Sequence, residues 1–183
     1  MRRSNYSQVG ITAVEFALTA MVFFLFIFGI IEMARVVYVM NTVQEVTRRA
    51  AHAAAKTNFA DSDAINYVRQ RAVFRTSSGP LLLAEPITDG HIRIDYMALV
   101  RAGSLQVLTP VAALPANPMS NRSTCIADPN DPNCIRFVRV RICASGAGNV
   151  CNPVPYATLV PIIPFTFNVP TATTIVTAES LGL

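Results

Sequence analysis

The chain has no tryptophan, a single lysine (Lys56) and two histidines, and only 14% of its 183 residues are charged. Soluble domains carry about 25% charge, so this composition excludes an ordinary soluble domain, and 52% hydrophobic residues exclude a disordered one. There is no proline before Pro80, although 12 occur from there on. The first part of the chain is thus free to form long helix, and the rest is not. The length fits one modest domain plus one membrane element, not a multidomain enzyme. Net charge is +4, small and dispersed, which gives no nucleic-acid footprint.

Chemistry is also missing. No G-x-S-x-G, phosphate-loop or dinucleotide pattern occurs. His52 has no metal-ligand partner at i+4, His91 stands at a strand start, and Asp128 and Asp131 flank prolines as turn residues would. The expectation is no catalytic residue, no metal and no cofactor.

The dominant feature is a long apolar run. Ile11 to Ile31 reads ITAVEFALTAMVFFLFIFGII, with Glu15 its only charge. As a helix it spans about 30 Å, the thickness of a bilayer's hydrocarbon core. The run exceeds the core of a removable signal, and Glu32-Met33-Ala34-Arg35 stands after it in place of a small-x-small cleavage site. The segment therefore stays in the mature protein. Arg2 and Arg3 favour a cytoplasmic N-terminus, but Arg35, Arg48 and Arg49 flank the other end, so charge alone leaves orientation open.

Glu15 lies five residues into the run, shallow enough to snorkel to the interface. A second reading starts from Gly10. A cut after it would give Ile11 a free α-amine, four residues from Glu15 on one helix face. Glu15 could then pair with that amine or with one from a neighbouring subunit.

The stretch Gly10-Ile11-Thr12-Ala13-Val14-Glu15-Phe16-Ala17-Leu18 resembles the processing site of type IV pilin precursors. Glu15-Phe16, the aromatic and aliphatic run, and Gly29-Ile30-Ile31-Glu32-Met33-Ala34-Arg35 are similar to TadE-like minor pseudopilins of tight-adherence (Flp-type) pilus systems. A weaker likeness touches Ala172 to Glu179. The resemblance implies a processing site at Gly10–Ile11, an assembly role for Glu15 and Phe16, and a structural function in pilus biogenesis. It also implies partners: a prepilin peptidase, other pilins or a second pseudopilin, an inner-membrane assembly platform, and membrane lipid. The rival reading is a single-pass anchored envelope domain that binds a ligand or partner and does not polymerise. A plain anchor needs neither Gly10 nor Glu15.

Beyond the run, Gly29, Met33, Val36, Met40, Val43, Thr47, Ala50 and Ala54 recur at spacings of 4 and 3, one stripe of a continuous helix reaching about Ala55. Asp61 or Ser62 can cap a second helix over Ala64 to Arg75, with Ile65, Val68, Ala72 and Phe74 inward and Arg69, Arg71 and Arg75 on a solvated face. Strand patterns occur at His91–Tyr96, at Leu105–Leu108, at Ile135–Ile142 with Val138, Val140 and Ile142 on one face, and at Thr171–Ala178. Arg136, Arg139 and Arg141 read as an exposed sheet face or a basic patch. Asn117–Pro132 and Leu159–Pro170 read as loops, with Pro161 and Pro164 opposing a central strand.

Cys125, Cys134, Cys143 and Cys151 fall within 27 residues without C-x-x-C spacing, which disfavours zinc and thioredoxin-like chemistry. Two disulfides in an oxidising compartment fit better, and three pairings are open. Local pairing, Cys125–Cys134 with Cys143–Cys151, would pin the loops on either side of the IRFVRVRI strand, the second of them carrying Gly146 and Gly148. The expected architecture is α+β: a cytoplasmic leader 1–10, a transmembrane helix 11–31, and an extracytoplasmic, periplasmic domain 32–183. In that domain a helix extension, 32–55, packs on a helix-plus-antiparallel-sheet unit, 56–183. The expected location is the inner membrane, N-terminus inside.

Overall fold

A computed structural model describes residues 9–144, 150–159 and 167–183, with side chains from residue 12. The leader with Arg2 and Arg3, the loop carrying Gly146 and Gly148, and Pro161 and Pro164 lie outside the described residues. The molecule is α+β. One helix, α1 (Val9–Ala54), runs unbroken from the apolar segment into the domain, as the absence of proline permits. Helix α2 (Ser62–Ala72) comes next, then strands β1 (Ile92–Ala102) and β2 (Leu105–Pro110), helix α3 (Pro118–Ala127), and strands β3 (Phe137–Ile142) and β4 (Thr173–Thr177).

The sheet order is β2-β1-β3-β4, antiparallel throughout. Val138, Val140 and Ile142 alternate inward and are fully buried. They meet a helix face of Val39, Val43, Val46, Ala50 and Ala54. Alanine in the upper turns lets the sheet approach closely. There the Thr47 and Thr174 hydroxyls touch at 2.9 Å, and the Ala55 carbonyl accepts from the amides of Glu179 and Leu181. These ties show that β4 runs in the same direction as α1. By the antiparallel register so does β1, and the β1–β2 turn at Gly103 lies at the end of the domain far from the apolar segment.

Several expectations need correction. Met33 and Met40 belong to the predicted helix stripe but are exposed, and the buried line runs there through Glu32 and Val39 before it joins the stripe at Val43, Thr47, Ala50 and Ala54. The upper helix is flanked by the sheet and by α2, whereas among the described residues nothing in the domain covers Met33 and Met40 lower down. Asp61 is the α2 cap, accepting from the amides of Asp63 and Ala64. Ile65, Val68 and Ala72 point inward, but α2 stops before Phe74, which has φ +61° and lies exposed under the Arg49 guanidinium. Strand β1 continues six residues beyond Tyr96, paired to β2. The expected loop at Asn117–Pro132 contains α3, whose start is set by Asn117, accepting from the Ser120 amide, and by Pro118 in the first turn.

Candidate functional site

The residues singled out at the N-terminus all lie on the free end of α1. The Gly10–Ile11 peptide is within its first turn, and the Ile11 side chain lies outside the described residues. Glu15 and Phe16 are exposed, Phe16 at 76%. The Glu15 carbonyl accepts from the Thr19 hydroxyl at 2.9 Å, as in any helix turn. Among the described residues none pairs with the Glu15 carboxylate. The structure thus places these four positions together along one helix end and, among the described residues, brings no other part of the chain to them.

From Thr12 onward the helix contains an 18-residue window of mean hydropathy 2.5, none of it buried. It is long and apolar enough to cross a membrane, compatible with a single-pass anchor. Phe23 and Phe24 meet edge to face at 5.7 Å, and Phe24 stacks on Phe28 at 6.2 Å, forming an aromatic ladder left exposed by the described residues. Water cannot solvate such a surface cheaply.

Immediately above the apolar segment, α1 is clamped to the domain. Glu32 and Arg35 pair at 3.4 Å, one helix turn apart and nearly buried. The Tyr156 hydroxyl donates to Glu32 Oε1 at 2.6 Å, and the Leu159 amide donates to Oε2 at 3.3 Å. Arg35 reaches four further oxygens: the carbonyls of Leu83 (2.8 Å), Ala157 (2.7 Å) and Glu85 (3.2 Å), and the Tyr156 hydroxyl (3.2 Å). Its guanidinium also lies 5.0 Å from the centre of the Tyr156 ring. Tyr38 donates to the Leu82 carbonyl. Only guanidinium, planar and with five donors, can serve so many acceptors at once. Burial pushes the Tyr156 hydroxyl up to about 12, reinforced by its bond to Glu32. Sequence patterns alone do not single out this clamp. Its one signal is an opposite-charge pair at i,i+3 directly after an apolar run.

The four cysteines form two bonds, Cys125–Cys134 and Cys143–Cys151. The first ties α3 to the approach of β3, where Asn121 also accepts from the Ile135 amide and donates to its carbonyl. The second closes the loop leaving β3. Together they hold both ends of that central strand.

Arg139 and Arg141 are not a solvated patch. Both converge on Asp95 of the neighbouring strand, at 3.0 and 2.7 Å, and Arg93 joins at 3.1 Å. Burial raises the Asp95 carboxyl, but the hydrogen bonds and charges of Arg141 and Arg139 outweigh it and hold the group below its usual range. Arg136 alone of the three candidates is exposed. His91 Nδ1 accepts from the Thr88 amide in a local turn, His52 is exposed, and Asp128 and Asp131 cap their own turns through the amides of Asn130 and Asn133. Among the described residues no cluster of metal-ligating side chains occurs.

No curated protein and no solved structure matches the chain. A family model does match, over residues 10–52, and it covers the long helix from the Gly10 junction through the Glu32–Arg35 clamp. The matching model is that of TadE-like proteins, to which the chain is similar over that segment.

Proposed function

We propose that the protein is a minor pilin or pseudopilin of a tight-adherence (Flp) pilus, acting as a structural subunit and not as a catalyst. A prepilin peptidase cuts the precursor between Gly10 and Ile11. The subunit sits in the inner membrane with its N-terminus inside and its disulfide-bonded domain in the periplasm. It then packs its apolar helix against other pilins or a second pseudopilin on an inner-membrane assembly platform. Cleavage removes Arg2 and Arg3, so a nearly neutral helix end remains to pack.

The observation that supports this reading best is Glu15, which pairs with none of the described residues, as the one charge on an exposed helix end whose other side chains are apolar but for Thr12 and Thr19. A carboxylate at the bilayer centre costs about 2.5–3.5 kcal/mol on insertion scales, and Glu15, nearer the interface, bears a part of that. Pairing with the α-amine of a neighbouring Ile11 removes that cost and fixes the register between subunits.

Intact-mass measurement on protein from host membranes tests the proposal. The expected mass lacks residues 1–10, and Gly10→Ala retains them. A wild-type mass that includes the leader refutes processing, and the rival reading of a plain, non-polymerising anchored domain replaces it.

A further inference from the structure

Three leucines lie exposed around the point where α1 leaves its apolar segment: Leu82 and Leu83, at 69% and 62%, and Leu159, at 61%. All three belong to the loops gripped by the clamp. Arg35 takes the Leu83 carbonyl, Tyr38 takes the Leu82 carbonyl, and the Leu159 amide binds Glu32. Helical side chains tilt toward the helix N-terminus. The guanidinium of Arg35 accordingly sits beside the Glu32 carboxylate, one residue past Ile31, and so do the loop atoms it holds. These loop tips are therefore level with the end of the apolar run.

Two further features mark this surface. Leu83 has φ +58°, a left-handed conformation that glycine adopts freely and leucine rarely does. Here a strained turn presents an isobutyl group outward, while its neighbour Leu81 fills the core. In addition, the carbonyls of Leu82, Leu83, Glu85 and Ala157 are all occupied by side-chain donors from α1, Tyr38 for the first and Arg35 for the other three. Backbone groups near hydrocarbon must find partners within the protein. An aqueous loop has no such need.

We propose that the Leu82–Leu83 turn and Leu159 insert into the interfacial layer of the bilayer that α1 crosses, so that the domain is seated on the lipid surface and does not hang from the helix. Arg35 and Tyr38 neutralise the loop carbonyls for that setting. The inference rests on α1 spanning a membrane, which is part of the function proposed above. It does not depend on cleavage or polymerisation.

The absence of tryptophan provides the test. Single variants Leu82→Trp, Leu83→Trp and Leu159→Trp of the full chain are reconstituted in phosphatidylethanolamine–phosphatidylglycerol vesicles, alongside Phe26→Trp in the apolar run and Leu105→Trp at the far end of the domain. Lipids brominated at shallow acyl positions are expected to quench the first three severalfold, and aqueous iodide to quench only Leu105→Trp. If iodide quenches the loop variants and bromolipid does not, while Phe26→Trp remains quenched by bromolipid, the loop insertion is overturned and the spanning helix stands. If Phe26→Trp also escapes bromolipid, the spanning helix itself is wrong. Because Leu82 has no left-handed constraint, Leu82→Trp gives the answer even if Leu83→Trp disturbs the turn.

Discussion

The Tyr156 hydroxyl donates to the Glu32 carboxylate over 2.6 Å, closing a contact between residues 124 apart in the chain. It makes the membrane-proximal end of the domain continuous with the helix. Tyr156 also stacks on Phe167 at 4.4 Å, which carries the connection into the segment leading to β4.

Removing this hydroxyl tests the clamp. Tyr156→Phe is expected to destabilise the domain by about 1–3 kcal/mol, the cost of a lost bond to a buried charged group. Arg35→Ala is expected to cost more, about 3–5 kcal/mol, because it leaves Glu32 buried without its cation. Thermal unfolding of the detergent-solubilised chain followed by circular dichroism measures both. The folded-state value of about 12 lies above that of a free tyrosine, so the stabilisation from Tyr156 is complete below about pH 10 and is lost as pH rises toward 12. Tyr96 is pushed up to about 12 chiefly by burial and adds to the same alkaline loss, so Tyr156→Phe should reduce that loss without abolishing it.

Asp95 governs the opposite limb. Its carboxyl is lower in the folded chain than in the unfolded one, so its contribution is present above about pH 4 and is lost as pH falls through the folded value. Asp95→Asn is expected to lower stability at pH 7 by about 1–3 kcal/mol, since charged hydrogen bonds to Arg139 and Arg141 are lost. It should also flatten the acid side of the stability profile. Denaturant unfolding between pH 2 and pH 7 reads both effects.

Each disulfide closes a short loop. Replacing Cys125 and Cys134 together by serine, or Cys143 and Cys151 together, is expected to cost about 2–3 kcal/mol per pair. Unfolding midpoints with and without reductant check this: reductant should lower the wild-type midpoint and leave that of the fourfold serine variant unchanged.

Glu15→Ala should spare membrane insertion, because it removes a charge from the apolar run, and should reduce pilus number sharply. Fractionation measures the first and electron microscopy the second. Normal pilus number in the variant would remove the registry role of Glu15.

The legible parts of the structure are those in which local chemistry and tertiary packing agree. Asp61 ahead of a 3.6-residue apolar pattern marks α2, and the alternation of Val138, Val140 and Ile142 marks β3 with its buried face. The spacing of the cysteines makes local pairing one of three possibilities, and folding brings the sulfurs of that pairing together. Where local signals conflict, the pattern misleads. Asn117-Pro118 is a helix start, but prolines, asparagines and aspartates crowd the same stretch and look like loop. Residues 97–100 of β1 are apolar on both faces, so period two vanishes just where the strand continues.

The sequence by itself determined the long proline-free helix, its apolar first half with one acid, and the α+β character of the domain beyond that helix. These rest on properties that a segment carries wherever it is placed: helix period, hydrophobic length and strand alternation. Only the tertiary structure decided that Glu32 and Arg35 are a buried clamp, that Asp95 gathers three arginines, and that Met33 and Met40 remain uncovered. Charge pairing and burial depend on which distant residues arrive at a surface, and Tyr156 reaches Glu32 from the far end of the chain.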